Sequence, residues 1–240
     1  MIKKIKHLPN HVAIVPDGNR RWARAKNFKP WKGHYESAER LEEIAREAFN
    51  LGVKNLTFWG SSVNNLTKRP LLEKRALLDV YEKYFRKLIA DKDIYEKEIQ
   101  INILGKWNEQ FPPNLKKILK EGIVKTKNHS KKFLNFLLAY NGDDDMLHAI
   151  NKINKNESFR NKKITSKTLR SNLLTSNLPD VDLIIRTGVQ GDPHNSVGFL
   201  MWQTQNSQYY FTKKMCPDFS KNDFKKALID FSKRNRRLGK

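Results

Sequence analysis

The stretch His11-Val12-Ala13-Ile14-Val15-Pro16-Asp17-Gly18-Asn19-Arg20-Arg21-Trp22-Ala23 decides how this chain is read. Its first half is a short apolar run rich in β-branched residues, the pattern of a buried strand. Pro-Asp-Gly-Asn then stops the strand with turn chemistry. A segment of helical character with several cations follows. The layout is a strand that delivers a carboxylate and two arginines to the mouth of a helix, where unpaired N–H groups favour phosphate. A carboxylate in such a place repels phosphate unless a cation bridges them. Asp17 therefore points to Mg2+, which binds through one or two carboxylates plus substrate phosphates. The plainer reading is an ordinary strand-turn-helix corner with Asp17 as N-cap.

Outward from this stretch, strand and helix signals alternate to both ends. Strands are expected at His11 to Pro16, Val53 to Trp59, Ile101 to Leu104, Lys132 to Tyr140, Leu183 to Thr187 and Gly198 to Trp202. Helices are expected at Ser37 to Asn50, Pro70 to Ala90, Phe111 to Thr126, Asp143 to Asn154 and Asp223 to Arg237. The alternation predicts an α/β fold: a single domain over residues 1–240, with a central, mostly parallel six-stranded sheet flanked by helices. A chain of 240 residues can bury a core of that size. No internal repeat or linker divides it.

The densest apolar run, Phe133 to Tyr140, is too short to cross a membrane. The first residues, Met1 to Lys6, lack the apolar segment of a signal peptide. Cys216 is the only cysteine, which excludes an intrachain disulfide and a multi-cysteine metal site. A cytoplasmic location is the expectation. Lys and Arg number 47 against 25 Asp and Glu, a net charge of +22, which implies an anionic partner; the Lys/Asn/Ile-rich text at Asn151 to Asn156 reads equally as a compositional drift without a specific partner. Nucleic acid, an anionic membrane face and a diphosphate substrate all qualify. No nucleic-acid-binding module is present, so no specific nucleic-acid role is expected.

Ligands of open α/β sheets bind beyond the carboxyl ends of the strands. Three expected strand ends carry polar clusters: Asp17 to Arg21, Ser61 to Pro70, and Arg186-Thr187-Gly188 before the long loop Gly188 to Val197. A solvated loop would explain each alone; it does not explain three on one edge. The chain has no Gly-x-Gly-x-x-Gly, no Walker loop and no visible Ser-His-Asp arrangement. One carboxylate among many cations suits electrostatic stabilisation of a phosphate leaving group.

The Asp17 string closely resembles the signature of the cis-prenyltransferase family, of which undecaprenyl diphosphate synthase is typical. The resemblance runs almost the full chain. Gly33-His34 matches a Gly-His pair, and Ser62-Val63-Asn64-Asn65 with Arg69-Pro70 is similar to a Ser-x-Glu-Asn-x-x-Arg-Pro region with one residue inserted. Pro179 to Gly188 looks like a Pro-Asp-Leu-x-Ile-Arg-Thr-Gly block. Phe199-Leu200-Met201-Trp202-Gln203, Tyr209-Tyr210-Phe211, Pro217-Asp218-Phe219 and the basic ending Arg234 to Gly239 follow in the family's order.

The resemblance implies condensation of isopentenyl diphosphate with an allylic diphosphate, forming a Z double bond. It implies that Asp17 holds Mg2+, that Gly18, Asn19, Arg20 and Arg21 cradle the allylic diphosphate beside Trp22, and that His34, Ser62 and Arg69 (or Lys68) support the phosphates. Asn65 would assist ionisation or proton removal. Arg186 would bind isopentenyl diphosphate, with His194 and Ser196 standing in for an absent second arginine. It further implies a hydrophobic tunnel beside the helix carrying Leu77, Tyr81, Tyr84 and Leu88, residues that plain core packing explains equally well. A homodimer and peripheral membrane contact complete the expectation.

Departures from the pattern cluster near the second substrate. Gln208 replaces a glutamate associated with Mg2+, which leaves Asp17 with phosphates and water. His194-Asn195-Ser196-Val197-Gly198 replaces Arg-x-Ser-Asn, and an arginine is missing near Lys29-Pro30, where Lys29 and Lys32 are close. Tyr140 to Asp145 and Val63-Asn64 also differ from the usual text. Two alternatives to regular elongation stay open: irregular coupling of lavandulyl type, and a noncatalytic partner subunit of the same fold.

Overall fold

The structure is a computed structural model that describes residue 5 and residues 7–234. The basic ending from Asn235 onward and residues 1–4 and 6 lie outside it. β1 (His11–Val15) leads through α1 (Asn19–Ala25) and α2 (Lys32–Leu51) to β2 (Asn55–Trp59). α3 (Val63–Thr67), α4 (Leu71–Ala90) and α5 (Lys92–Glu96) precede β3 (Ile99–Leu104). α6 (Trp107–Gln110) and α7 (Pro113–Thr126) precede β4 (Lys132–Leu137). α8 (Gly142–Lys155) and α9 (Ser166–Asn172) lead to β5 (Leu183–Arg186); β6 (Gln208–Phe211) and α10 (Lys221–Lys233) complete the described chain.

Local chemistry sets the boundaries. Gly52 ends α2 in the left-handed region at φ 103°, a conformation that favours glycine. Pro113 opens α7, where its missing N–H costs nothing. Ser220 and Asp223 cap α10 reciprocally.

The strands form one sheet in the order β3-β4-β2-β1-β5-β6, and all five pairings are parallel. Helices and connecting segments cover both faces, which is why the strands read as continuous apolar runs. Val12 and Ile14 of β1 face a core built with α2, α4, α7 and α10. Ala13 and Val15 face the other side, against Phe199 and Leu200.

A polar ladder crosses four strands inside this apolar setting. His11 Nε2 lies 2.7 Å from Thr57 Oγ1, Asn135 Nδ2 donates to Thr57 Oγ1 at 3.0 Å, and Asn102 Nδ2 donates to Asn135 Oδ1 at 2.9 Å. The carbonyl of Pro179 lies 2.9 Å from His11 Nδ1. Each buried group thus has a partner.

One expected element is wrong. Gly198 to Trp202 is not a strand. Val197 and Leu200 take φ of 50° and 49°, so the chain turns there and drives Phe199 and Leu200 into the core. The sixth strand is Gln208–Phe211.

Candidate active site

β1, β2 and β5 are neighbours, so the three polar strand ends meet at one edge of the sheet. At the end of β1, Asp17 N–H donates back to Val15 O at 3.0 Å. Gly18 follows at φ 99°, and a Cβ there would meet the Met215 side chain at 2.8 Å. Gly18, not Asp17, is the N-cap of α1, and no side chain caps that helix. The Asp17 carboxylate is used otherwise. Its Oδ1 accepts from Gly18 N–H at 2.6 Å and Arg21 Nη2 at 3.3 Å; its Oδ2 accepts from Arg186 Nη2 at 3.0 Å.

Arg186 is the last residue of β5 and sits beside Val15 in register. Its Nη1 donates to the His194 carbonyl at 2.7 Å and to Ser196 Oγ at 2.8 Å. Ser196 Oγ also lies 2.9 Å from His194 Nε2. The two expected stand-ins therefore hold the guanidinium from the loop side. Arg21 ties the same loop down by donating to Gly188 O at 2.7 Å.

Beyond β2, Ser62 and Asn65 form a reciprocal cap on α3: Asn65 N–H donates to Ser62 Oγ at 3.1 Å, and Ser62 N–H to Asn65 Oδ1 at 3.3 Å. Asn141 Oδ1 accepts from Val63 N–H at 3.3 Å, joining β4's end to this helix.

α1 and α2 touch closely, since a Cβ on Gly33 would collide with the Asn19 carbonyl. Asn19 Oδ1 accepts from Ser37 Oγ at 2.5 Å, and its Nδ2 donates to Pro16 O at 3.2 Å. His34 is buried between Asn19 Nδ2, 3.3 Å from its Nδ1, and Arg69 Nη1, 3.2 Å from its Nε2. Burial pushes its pKa down. Beneath lies Glu73, with Oε1 at 3.4 Å from Arg20 Nε, 3.5 Å from Arg69 Nε and 3.7 Å from His34 Nε2. Contact with His34, then the charges of Arg69 and Arg20, hold its carboxyl below the usual range.

These elements enclose a polar cleft of about 520 Å³. Arg20, Arg21, Arg24, Arg69 and Arg186 line it, with Asp17 the single carboxylate among the described residues that do so. Gly18, Asn19, His34, Ser62, Asn65 and Ser196 line it too. His194 touches the cleft only through Arg186 and Ser196. Trp22 does not join them: its ring is buried, its Nε1 donates to Asp218 Oδ1 at 2.8 Å, and it packs on Phe28. Lys68 is exposed outside the cleft, and Lys32 pairs with Glu36 at 2.8 Å. Gln208 lies opposite Leu183 at the start of β6, three positions before the Phe211 that pairs with Arg186, and its Oε1 accepts from Arg234 at 3.3 Å. Glu73 and Arg24 escaped sequence reasoning; an acid four residues after Arg69 was the available signal.

Behind the cleft lies an apolar cavity of about 170 Å³. The two share Pro16, Asn19, His34, Trp59 and Gly60 among their lining residues. Leu77, Tyr81, Tyr84 and Leu88 of α4 line the cavity opposite Leu41 and Phe49 of α2.

A profile of the undecaprenyl diphosphate synthase family matches residues 15–239. The chain is 35% identical to the tritrans,polycis-undecaprenyl-diphosphate synthase (geranylgeranyl-diphosphate specific) of Pyrococcus furiosus, covering 100% of this chain and 91% of that protein. It is 36% identical to the isoprenyl transferase of Aquifex pyrophilus, covering 97% of this chain and 96% of the relative. The crystal structure of lavandulyl diphosphate synthase from Lavandula x intermedia in complex with dimethylallyl diphosphate superposes with a TM-score of 0.88 at 28% identity, covering 97% and 99% of the two chains.

Proposed function

The chain belongs to the undecaprenyl diphosphate synthase family, and from that premise we propose that it condenses isopentenyl diphosphate with an allylic prenyl diphosphate to give a Z-polyprenyl diphosphate. The observation that carries this reading is that a guanidinium-rich cleft and an apolar cavity share five lining residues, which serve as a neck between them. A diphosphate held in the cleft lays its prenyl tail through the neck.

Arg20, Arg21 and Arg69 hold the allylic diphosphate with Gly18, Asn19, His34 and Ser62. Arg186, steadied by Ser196 and the His194 carbonyl, holds the isopentenyl diphosphate. Guanidiniums suit this work because their planar forks meet phosphate oxygens in pairs and keep their charge. In the reaction the allylic C–O bond breaks and its electron pair leaves on the diphosphate. A C–C bond forms to the terminal carbon of the isopentenyl unit, which then loses a proton. The arginines stabilise the charge that develops on the leaving group. Asn65, fixed by its cap on α3, assists ionisation or proton removal. The apolar walls keep water from the allylic carbon.

The donor set fits Mg2+. Among the described residues Asp17 is the single carboxylate lining the cleft, and no cluster of three or more His, Cys, Asp or Glu could cage a metal. One carboxylate completed by phosphate oxygens and water suits this hard ion. When bound, Mg2+ supplies charge neutralisation for the departing diphosphate.

Incubation with labelled isopentenyl diphosphate and an allylic primer, with and without Mg2+, tests the reading. Mass spectrometry of the dephosphorylated product is expected to show a ladder spaced by one isoprene unit. Asp17→Ala is expected to abolish Mg2+-dependent turnover, and full activity in that variant overturns the assignment. The altered loop at His194 to Gly198 and the likeness to lavandulyl diphosphate synthase favour a second reading, irregular coupling. A branched product from dimethylallyl diphosphate alone would select it. A homodimer, a cytoplasmic location and peripheral membrane contact belong to the same family reading. Among the described residues no helix is long and apolar enough to cross a membrane.

A further inference from the structure

No Ser-His-Asp arrangement is visible in the sequence, yet the loop after β5 builds one. Its members alternate along Asp192-Pro193-His194-Asn195-Ser196. His194 Nδ1 lies 3.0 Å from Asp192 Oδ2 and 3.0 Å from the Asp192 carbonyl. Across the ring, Nε2 lies 2.9 Å from Ser196 Oγ. Ser196 lines the polar cleft, and its Oγ also accepts from Arg186 Nη1 at 2.8 Å. A guanidinium only donates, so this contact leaves the serine hydrogen for the imidazole. With Nδ1–H given to Asp192, the Nε2 lone pair faces that hydrogen. The chain of contacts runs from the cleft wall to His194 and Asp192, which are both exposed.

The condensation must dispose of a proton, and the cleft is poor in bases. Five of the described residues lining it are arginines, which stay protonated. The Asp17 carboxylate already accepts from Gly18, Arg21 and Arg186. Asn65 carries a neutral carboxamide, which orients a group but does not hold a proton. His34 lies beside Arg69 on the allylic side, and burial lowers its pKa. His194 is the base that is left, and it reaches the cleft beside Arg186, on the isopentenyl side.

We propose that Ser196, His194 and Asp192 form the relay that takes the proton from the isopentenyl unit and delivers it to solvent. The inference rests on the reading that Arg186 holds isopentenyl diphosphate for condensation. The carbon that loses the proton is next to the one bearing the diphosphate, so anchoring at Arg186 keeps it at the Ser196 end of the cleft. Its C–H bond breaks, and the electron pair becomes the new double bond. The proton goes to Ser196 Oγ while the serine hydrogen passes to His194 Nε2. Asp192 stabilises the imidazolium, which then gives its proton to water at the exposed side of the loop. Ser196 touches the substrate; His194 and Asp192 act through it.

His194→Gln removes the base but keeps the His194 carbonyl, which accepts from Arg186 Nη1 at 2.7 Å. In single turnovers its condensation rate is expected to fall about 100-fold, with the half-saturating concentration of isopentenyl diphosphate within about two-fold of the parent. Proton removal then becomes the slow step. Isopentenyl diphosphate deuterated at the carbon that loses the proton is therefore expected to show a larger isotope effect in the variant than in the parent, a change that misfolding or lost binding does not produce. Asp192→Asn is expected to lower the rate less and to raise the same ratio. In His194→Ala, added imidazole is expected to restore part of the lost rate, since the loop is open to solvent; this variant carries the test if His194→Gln does not fold. An unchanged rate or an unchanged isotope effect in His194→Gln overturns the relay and leaves the proton to the substrate's own diphosphate. A raised half-saturating concentration with an unchanged rate also overturns it and makes His194 a phosphate ligand. A parent enzyme that joins no prenyl units overturns the underlying reading and this inference with it.

Discussion

Glu73 is 4% exposed and does not line the cleft, yet Arg20, Arg69 and His34 converge on it. It therefore positions the cations that do. Glu73→Gln keeps the shape and removes the charge. The expected result is a KM for the allylic diphosphate raised about ten-fold with kcat within about three-fold, because the lost interaction serves substrate and transition state alike. Steady-state kinetics with Glu73→Asp as the partial rescue check this. His11 offers a second test. Burial lowers its pKa to about 4, against about 6.5 in the unfolded chain. Between those values the unfolded chain binds a proton that the folded one refuses. Stability is therefore complete above about pH 6.5 and falls by about 3 kcal/mol as the pH drops to about 4. His34, lowered in the same direction, adds to the fall. Urea unfolding at about pH 7 and about pH 5 should show the lower midpoint in acid, and His11→Gln should flatten the difference. Most residues lining the cleft were legible, because they lie in three short strings at strand ends. Glu73 was not, because its three partners come from α1, α2 and the turn between α3 and α4. Trp22 was misplaced, because an indole buried beside Asp218 and one facing a ligand look alike in sequence.

At the scale of elements, the close approach of α1 and α2 sets the cleft's shape. Gly33→Ala would push a methyl into the Asn19 carbonyl. Overpacking of that kind costs about 2 kcal/mol, or roughly 4–8 °C in Tm for a chain of this size. Calorimetry should show that loss, and activity should fall further than stability, since Asn19 and His34 move with the helices. The periodic elements were readable: β1, α2 and α4 carry clear strand or helix patterns. Gly198 to Trp202 misled because Phe199-Leu200-Met201-Trp202 has the composition of a strand. Its backbone instead turns at Val197, Gly198 and Leu200, all of positive φ, a geometry that apolar composition does not report. The true edge strand, Gln-Tyr-Tyr-Phe, is only four residues long and half-exposed, so its pattern is faint.

At the scale of the whole molecule, the charge of +22 is a field as well as a binding site. Five arginines among the described residues gather at the cleft, and the surplus cations around them draw diphosphates from a distance. Salt screens that attraction, with a Debye length near 10 Å at 0.1 M and about 3 Å at 1 M. The expected outcome is a kcat/KM that falls about ten-fold or more between low and high salt while kcat barely changes. A KM indifferent to salt would reduce the excess lysines to composition without consequence. The buried ladder of His11, Thr57, Asn135 and Asn102 reaches across most of this same sheet. It works like the teeth of a key. If any of those strands shifted by a single residue, its tooth would swing to the opposite layer and leave its neighbours without a mate. The alignment that sets the Asp17 end of β1 beside the end of β2 that leads to Ser62 and Asn65 is thus locked from within the sheet, well away from any substrate.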